Sequence, residues 1–177
     1  MSDVMTASQA RFDVAAGPDL RRWVLQGRDA GLAAGAAAFG LSGVPDMLRT
    51  AQVAGGTAAR LGPHELVFFA EPDRADAIYS ALQAGLKDIP SSLVEISDRQ
   101  VAIDISGPDV ELVLSSLSPM DFNIRAFPVG MATRTLLAKA DGMVWRTGPQ
   151  SFRLEVWRSF VPYMTEYLQK VACDVRF

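Results

Sequence analysis

The sequence predicts an α+β protein in which sheets are layered against helices. Three observations carry this reading: an unbroken apolar run at residues 66–70, apolar residues at helical spacing in both halves, and three closely spaced strand candidates towards the C-terminal end. A chain of 177 residues is about the size of one domain, and 49% hydrophobic with 21% charged residues is an ordinary globular balance, far from disorder. The expected organisation is an N-terminal arm over residues 1–19 and a single α+β domain over 20–177, the alternative being two small lobes at about 20–90 and 91–177.

The arm shows no periodicity, ends at Gly17-Pro18, and reads as a segment that orders only against a partner. Arg21-Arg22-Trp23-Val24-Leu25-Gln26-Gly27 reads as a short strand. Asp29 is expected to cap a helix over residues 30–39, which Gly31, Gly35 and Gly40 weaken while allowing close packing. Residues 51–61 read as a strand interrupted by a bulge or bend at Gly55-Gly56, and Gly62-Pro63 breaks the chain. The run Leu66-Val67-Phe68-Phe69-Ala70 does not alternate, which predicts a central strand covered on both faces. Ala75, Ile78, Tyr79, Leu82 and Leu86 then lie on one stripe of a helix that stops before Pro90. The first half therefore reads β-α-β-β-α.

The second half is expected to open at residues 93–96 and to continue through Val101, Ile103 and Ile105, which alternate with Ala102, Asp104 and Ser106 as in a half-buried strand. Gly107-Pro108-Asp109 ends it, and Val110, Val113, Leu114 and Leu117 give a short helix closed by Ser118-Pro119. Residues 133–140, 143–146 and 152–158 are three strand candidates, with Asp141-Gly142 read as a tight hairpin turn and residues 147–150 as the second connection. In the last strand Phe152, Leu154 and Val156 share one face, while Arg153, Glu155 and Trp157 share the other. Ser159 is placed to cap a final helix with Pro162 in its first turn and Phe160, Tyr163, Met164, Tyr167 and Val171 along its apolar stripe. No repeat is visible in the sequence itself.

Charge and motifs exclude several functions. A formal charge of −3 argues against gripping nucleic acid. No apolar tract approaches the roughly 20 residues that cross a bilayer, and residues 1–10 lack the pattern of an export signal, so no membrane and a cytoplasmic location are expected. The single cysteine, Cys173, cannot close an intramolecular disulfide and reads as structural. His64, the one histidine, sits in a Gly-Pro-His-Glu turn and reads as a turn residue; with one cysteine it makes a poor metal-ligand set. No glycine-rich phosphate cradle follows a strand, and Gly31-Leu32-Ala33-Ala34-Gly35 reads as close helix packing. Asp104 points outward on its strand, and Asp109 is placed to cap the helix after it. No catalytic, cofactor-binding or metal-binding residue is assigned. The candidate interface is Trp157 with Arg153 and Glu155, since Trp and Arg concentrate at hot spots; an isolated surface tryptophan is the other reading.

Several segments in order resemble the sarcosine oxidase gamma-subunit family. These are Ser97-Asp98-Arg99-Gln100-Val101-Ala102-Ile103-Asp104-Ile105-Ser106-Gly107-Pro108, Arg125-Ala126-Phe127-Pro128-Val129-Gly130, Thr135-Leu136-Leu137-Ala138-Lys139, and residues 152–160 with Arg158-Ser159-Phe160. The similarity spans about residues 20 to 172. It implies a non-catalytic subunit of a heterotetramer with alpha, beta and delta partners that oxidatively demethylates sarcosine to glycine, forming hydrogen peroxide and methylenetetrahydrofolate. It also implies that FAD, FMN, NAD, zinc and tetrahydrofolate lie on other subunits, with none in this chain, and that the fold resembles the folate-binding aminomethyltransferase type. The alternatives are the same role in a related N-methyl amino-acid oxidoreductase complex, or a free-standing folate-binding protein.

Overall fold

Residues 66–70 can be apolar at every position because their strand is covered on both sides. In the computed structural model, which describes residues 11–174, they lie in the strand Glu65–Ala70, the middle of a five-stranded sheet. Leu66, Phe68 and Ala70 meet a helix-side core, while Val67 and Phe69 face a second sheet. Each fully buried side chain of this size contributes about 1.5–3 kcal/mol.

The elements, in chain order, are β1 (Asp13–Ala16), β2 (Arg21–Gly27), α1 (Asp29–Phe39), β3 (Thr50–Val53), β4 (Gly56–Gly62), β5 (Glu65–Ala70), α2 (Pro72–Leu86), β6 (Ser91–Glu95), β7 (Gln100–Ser106), α3 (Val110–Leu117), β8 (Ala132–Leu137), β9 (Ala140–Gly148), β10 (Ser151–Trp157) and α4 (Val161–Asp174). One antiparallel sheet has the order β3-β4-β5-β2-β6 and the other β8-β9-β10-β7-β1. Helices α1 and α2 pack on the outer face of the first sheet through Leu32, Phe39, Ile78 and Leu82. Helices α3 and α4 cover the second through Val113, Leu114, Met164 and Leu168. A smaller core containing Ala59, Val67, Phe69, Ala132, Met143 and Trp145 joins the sheets. The layers thus run helices, sheet, sheet, helices, and the α+β expectation holds.

The two halves share one connectivity. Strand, helix, outer strand, two further strands and helix follow one another from β2 to α2 and again from β7 to α4, with matching places in the two sheets. In the first half the strand after the second helix, β6, pairs beside β2; in the second, the equivalent place beside β7 is filled from the other end of the chain by β1. Arg49 and Met131, each one residue before the outer strand of its half, form a backbone bridge between the two sheets. This duplication lies in topology and not in residue identity, so no repeat is legible in the sequence.

Several expectations need correction. Residues 13–16 pair with β7 of their own chain, Asp13 opposite Ser106, so this stretch of the arm orders without a partner; residues 1–10 lie outside the described residues. Gly107, at φ +137°, lets the chain pass there: a Cβ would meet the Arg11 carbonyl oxygen at 2.5 Å. Residues 91–95 do not open the second half, because they pair with β2 in the first sheet. Asp29 is the first residue of α1 and not its cap; Arg28 holds the cap position without a side-chain bond. Gly35 packs α1 onto β2, where a Cβ would collide with Leu25 Cδ2, and Gly85 of α2 approaches Ala38 of α1. Ser159 lies inside a 3-10 turn, Arg158–Phe160, which leads into α4.

The β8–β9 turn is not Asp141-Gly142. Leu137 pairs with Ala140, so Ala138-Lys139 makes the two-residue turn, with Ala138 at φ +54°. Gly142 sits inside β9 for a packing reason: a Cβ there would lie 2.7 Å from Leu137 Cδ1 and 3.3 Å from the Glu155 carbonyl oxygen. Gly142→Ala is expected to destabilise the fold by about 1–3 kcal/mol, as overpacked core sites do, and urea unfolding measures it. An unchanged midpoint would show that Leu137 yields freely.

Candidate interaction site

Strand alternation places Arg153, Glu155 and Trp157 on one face of β10, and that face looks at the other sheet. The charges there are therefore matched inside the molecule. Glu155 is fully buried and receives Arg22 Nε at 2.7 Å and Nη2 at 3.2 Å, a two-point ion pair that ties β10 to β2 across the sheets. Burial pushes the Glu155 carboxyl up from its ordinary value, and the Arg22 N–H bonds oppose that push. Arg153 donates to Asp104 at 2.8 and 3.0 Å on neighbouring β7 and lies 5.3 Å over the Trp145 ring. Of the candidate interface trio Trp157 is exposed, at 42%, Arg153 is half-buried and Glu155 is withdrawn from the surface.

Trp157, the last residue of β10, borders an opening between the two sheets. Between β2 and β6 on one side and β8 and β9 on the other they leave a cleft of about 720 Å³, with Trp157 at its mouth. Its ring stacks on Phe160 at 5.9 Å between centroids, and the Arg99 guanidinium lies 5.3 Å above it. Val94 and Leu136, each 53% exposed, complete an apolar rim. A second cleft, about 620 Å³, lies between β3, the start of β4 and the end of β5 on one side and β9 and β10 on the other; it is lined by Asp19, Glu71, Arg146 and Arg153 among others.

The remaining sequence candidates lie apart. His64 is exposed in the β4–β5 turn, where its carbonyl accepts the Gly27 N–H at 3.1 Å, as the turn reading expects. Asp109 stands at the cap position of α3, and its carbonyl accepts the Val113 N–H at 3.0 Å, but its side chain makes no bond to the helix; the carboxylate instead accepts the Arg11 backbone N–H at 2.7 Å, a bond that holds the group below the usual carboxylate range. Cys173 falls within α4. Among the described residues no three His, Cys, Asp or Glu side chains gather as a metal site, and no helix is long and apolar enough to cross a membrane.

Sequence reasoning missed Arg146. It is 1% exposed, and its guanidinium spends every N–H group internally: Nε on Gly148 O at 3.2 Å, Nη1 on Phe122 O at 2.8 Å and Phe127 O at 3.1 Å, Nη2 on Glu111 Oε1 at 2.6 Å and on Pro149 O. The available signal was an arginine ending the apolar run Met143-Val144-Trp145.

Two matched sheets, face to face and jacketed by helices, define a chain with the aminomethyltransferase type of fold. Aminomethyltransferase T of the glycine cleavage system from Bartonella henselae is similar with a TM-score of 0.65 and 14% identity, covering 91% of this chain and 46% of that one. The model of the sarcosine oxidase, gamma subunit family matches residues 27–174, and the chain belongs to that family. It is 34% identical over 140 residues to the sarcosine oxidase subunit gamma of Corynebacterium sp. strain P-1, covering 78% of this chain and 68% of the relative. A chain of the heterotetrameric sarcosine oxidase from Corynebacterium sp. U-96 is similar with a TM-score of 0.84 and 28% identity, over 95% of this chain and 87% of that one.

Proposed function

We propose that this chain is the gamma subunit of a heterotetrameric sarcosine oxidase, assembled with alpha, beta and delta chains, and that it supplies binding surface while chemistry takes place elsewhere in the complex. The observation that carries the reading is the family match over residues 27–174. The relative of known structure is a heterotetrameric sarcosine oxidase, which supports the assembly. On this reading the complex converts sarcosine to glycine with hydrogen peroxide and methylenetetrahydrofolate as products in the cytoplasm. FAD, FMN, NAD, zinc and tetrahydrofolate belong to the other subunits. The internal use of charge supports a scaffolding role: Arg22, Arg146 and Arg153 all bind groups of their own chain.

Co-expression with the three other chains is expected to yield a four-chain particle by native mass spectrometry, with sarcosine-dependent peroxide release. Recovery of this chain only as a monomer would sink the reading. Titration of the isolated chain with flavin is expected to give no stoichiometric complex. Trp157 is the proposed anchor of the assembly surface, and Trp157→Ala is expected to weaken subunit association by about thirtyfold or more, the effect of losing an interface hot spot. Its melting temperature should stay near wild type, because the ring is partly exposed at a strand end.

A further inference from the structure

Strand β1 is held to its sheet by backbone more than by side chains. Asp13, Val14, Ala15 and Ala16 pair with Ser106, Ile105, Asp104 and Ile103, yet all four side chains are exposed, so the strand withdraws little apolar surface from water. Its attachments lie at the two ends. At one, the Gly17 N–H donates to the Ala102 carbonyl at 2.9 Å, and Pro18 follows on the way to β2. At the other, Phe12 rests half-buried on the core that contains α3 and α4, and Asp109 grips Arg11 by both backbone groups. The Asp109 carboxylate accepts the Arg11 N–H at 2.7 Å, and the Asp109 N–H donates to the Arg11 carbonyl at 3.3 Å. Arg11 Nε adds a longer contact to the same carboxylate, at 3.4 Å. Since that carboxylate makes no bond to α3, it serves β1 and not its own helix. The rest of the sheet is secured independently: β7 pairs along its other side with β10, from Ser151 opposite Ser106 to Trp157 opposite Gln100, and Ile103 and Ile105 belong to the core.

We propose that residues 11–16 form a clasped strap, which swings off the β7 edge about Gly17-Pro18 and back while both sheets stay folded, with Asp109 as the clasp. Segments with few buried side chains and exposed backbone bonds open in this way, as units less stable than the whole molecule. An uncovered strand edge is a template for pairing with another strand, and the closed strap denies it. Opening therefore bares the edge of β7 without unfolding the protein. The device belongs to the chain alone and does not depend on the gamma-subunit reading.

Native-state hydrogen exchange on the full chain tests it, because β7 carries its own control. The Gly17 bond to Ala102 sets the alternation: the Asp104 amide points at β1, and those of Ile103 and Ile105 point at β10. The amides of Ala15 and Asp104 are expected to exchange about a hundredfold or more faster than those of Ile103 and Ile105, as local opening allows. Asp109→Ala is expected to quicken the first pair by about a further tenfold, the effect of losing one or two hydrogen bonds, relative to the second pair in the same chain. Asp109→Asn, which keeps an oxygen for the Arg11 N–H, should fall between wild type and Asp109→Ala. Wild-type exchange at Ala15 and Asp104 as slow as at Ile103 and Ile105 overturns the strap, and so does an Asp109→Ala chain in which both pairs quicken equally, since β1 then opens only with the sheet. Fast exchange at Ala15 and Asp104 that Asp109→Ala leaves untouched overturns the clasp.

Discussion

Glu155→Gln is expected to remove about 3–5 kcal/mol of folding free energy, the usual result of orphaning one member of a buried ion pair. The glutamine keeps the shape, but Arg22, 3% exposed, then carries an unmatched charge between two sheets. Replacing both partners with apolar residues of similar volume, Arg22→Met with Glu155→Leu, is expected to return stability to within about 1–2 kcal/mol of wild type or above it, because desolvation offsets most of what the pair contributes. Urea unfolding of the two variants decides between these accounts. If the double variant is as unstable as the single one, the pair stabilises by attraction and not merely by avoiding an orphaned charge. The pH dependence carries a sign of its own. A carboxyl whose folded pKa is raised favours folding most below its ordinary value near 4.5, and that contribution fades as pH rises through the elevated pKa. Wild-type stability should therefore slope downward across that window by an increment that Glu155→Gln lacks.

Arg146→Met is expected to be as severe, again about 3–5 kcal/mol, for a different reason. Its guanidinium collects the carbonyls of Phe122, Phe127, Gly148 and Pro149 and the carboxylate of Glu111, so it pins the segment after α3 and the β9–β10 turn to one point. Removing it leaves several buried acceptors unbonded at about 1–3 kcal/mol each before relaxation. Arg146→Lys should recover little, because an ammonium cannot reproduce the planar fork that serves carbonyls on several sides. The expected signature is hydrogen exchange accelerated over residues 119–130 while the first sheet stays protected. Uniform acceleration across both sheets would show that Arg146 stabilises the whole fold and not that segment.

Which parts of this structure could be read from residues follows from the range of the forces involved. The strand at 66–70, the stripe Val110, Val113, Leu114 and Leu117 and the facing of β10 depend on local period, and all appear as expected. Alternation does not reveal what covers a face, however. Arg153, Glu155 and Trp157 read as a candidate interface because a tryptophan stands among charges, whereas Arg22, far away in sequence, draws Glu155 into the interior. The placement of β6 and β1 was hidden for the same reason: sheet membership is decided by partners, and residues 91–95 carry no mark of their preference for β2. Asp141-Gly142 has the residues of a turn, yet its glycine answers to Leu137 and Glu155 packing above it. The charge of Arg99 was visible, but only the fold sets it over Trp157.

The borrowing of β1 by the second sheet bears on how the chain is made. Translation delivers β1 before anything it can pair with, then the whole set of elements from β2 to β6, which can close its own sheet while synthesis continues. The partner β7 follows, and the second sheet stays incomplete until β8, β9 and β10 have also emerged. The first strand among the described residues is thus among the last to be fixed, once the later half has emerged to receive it.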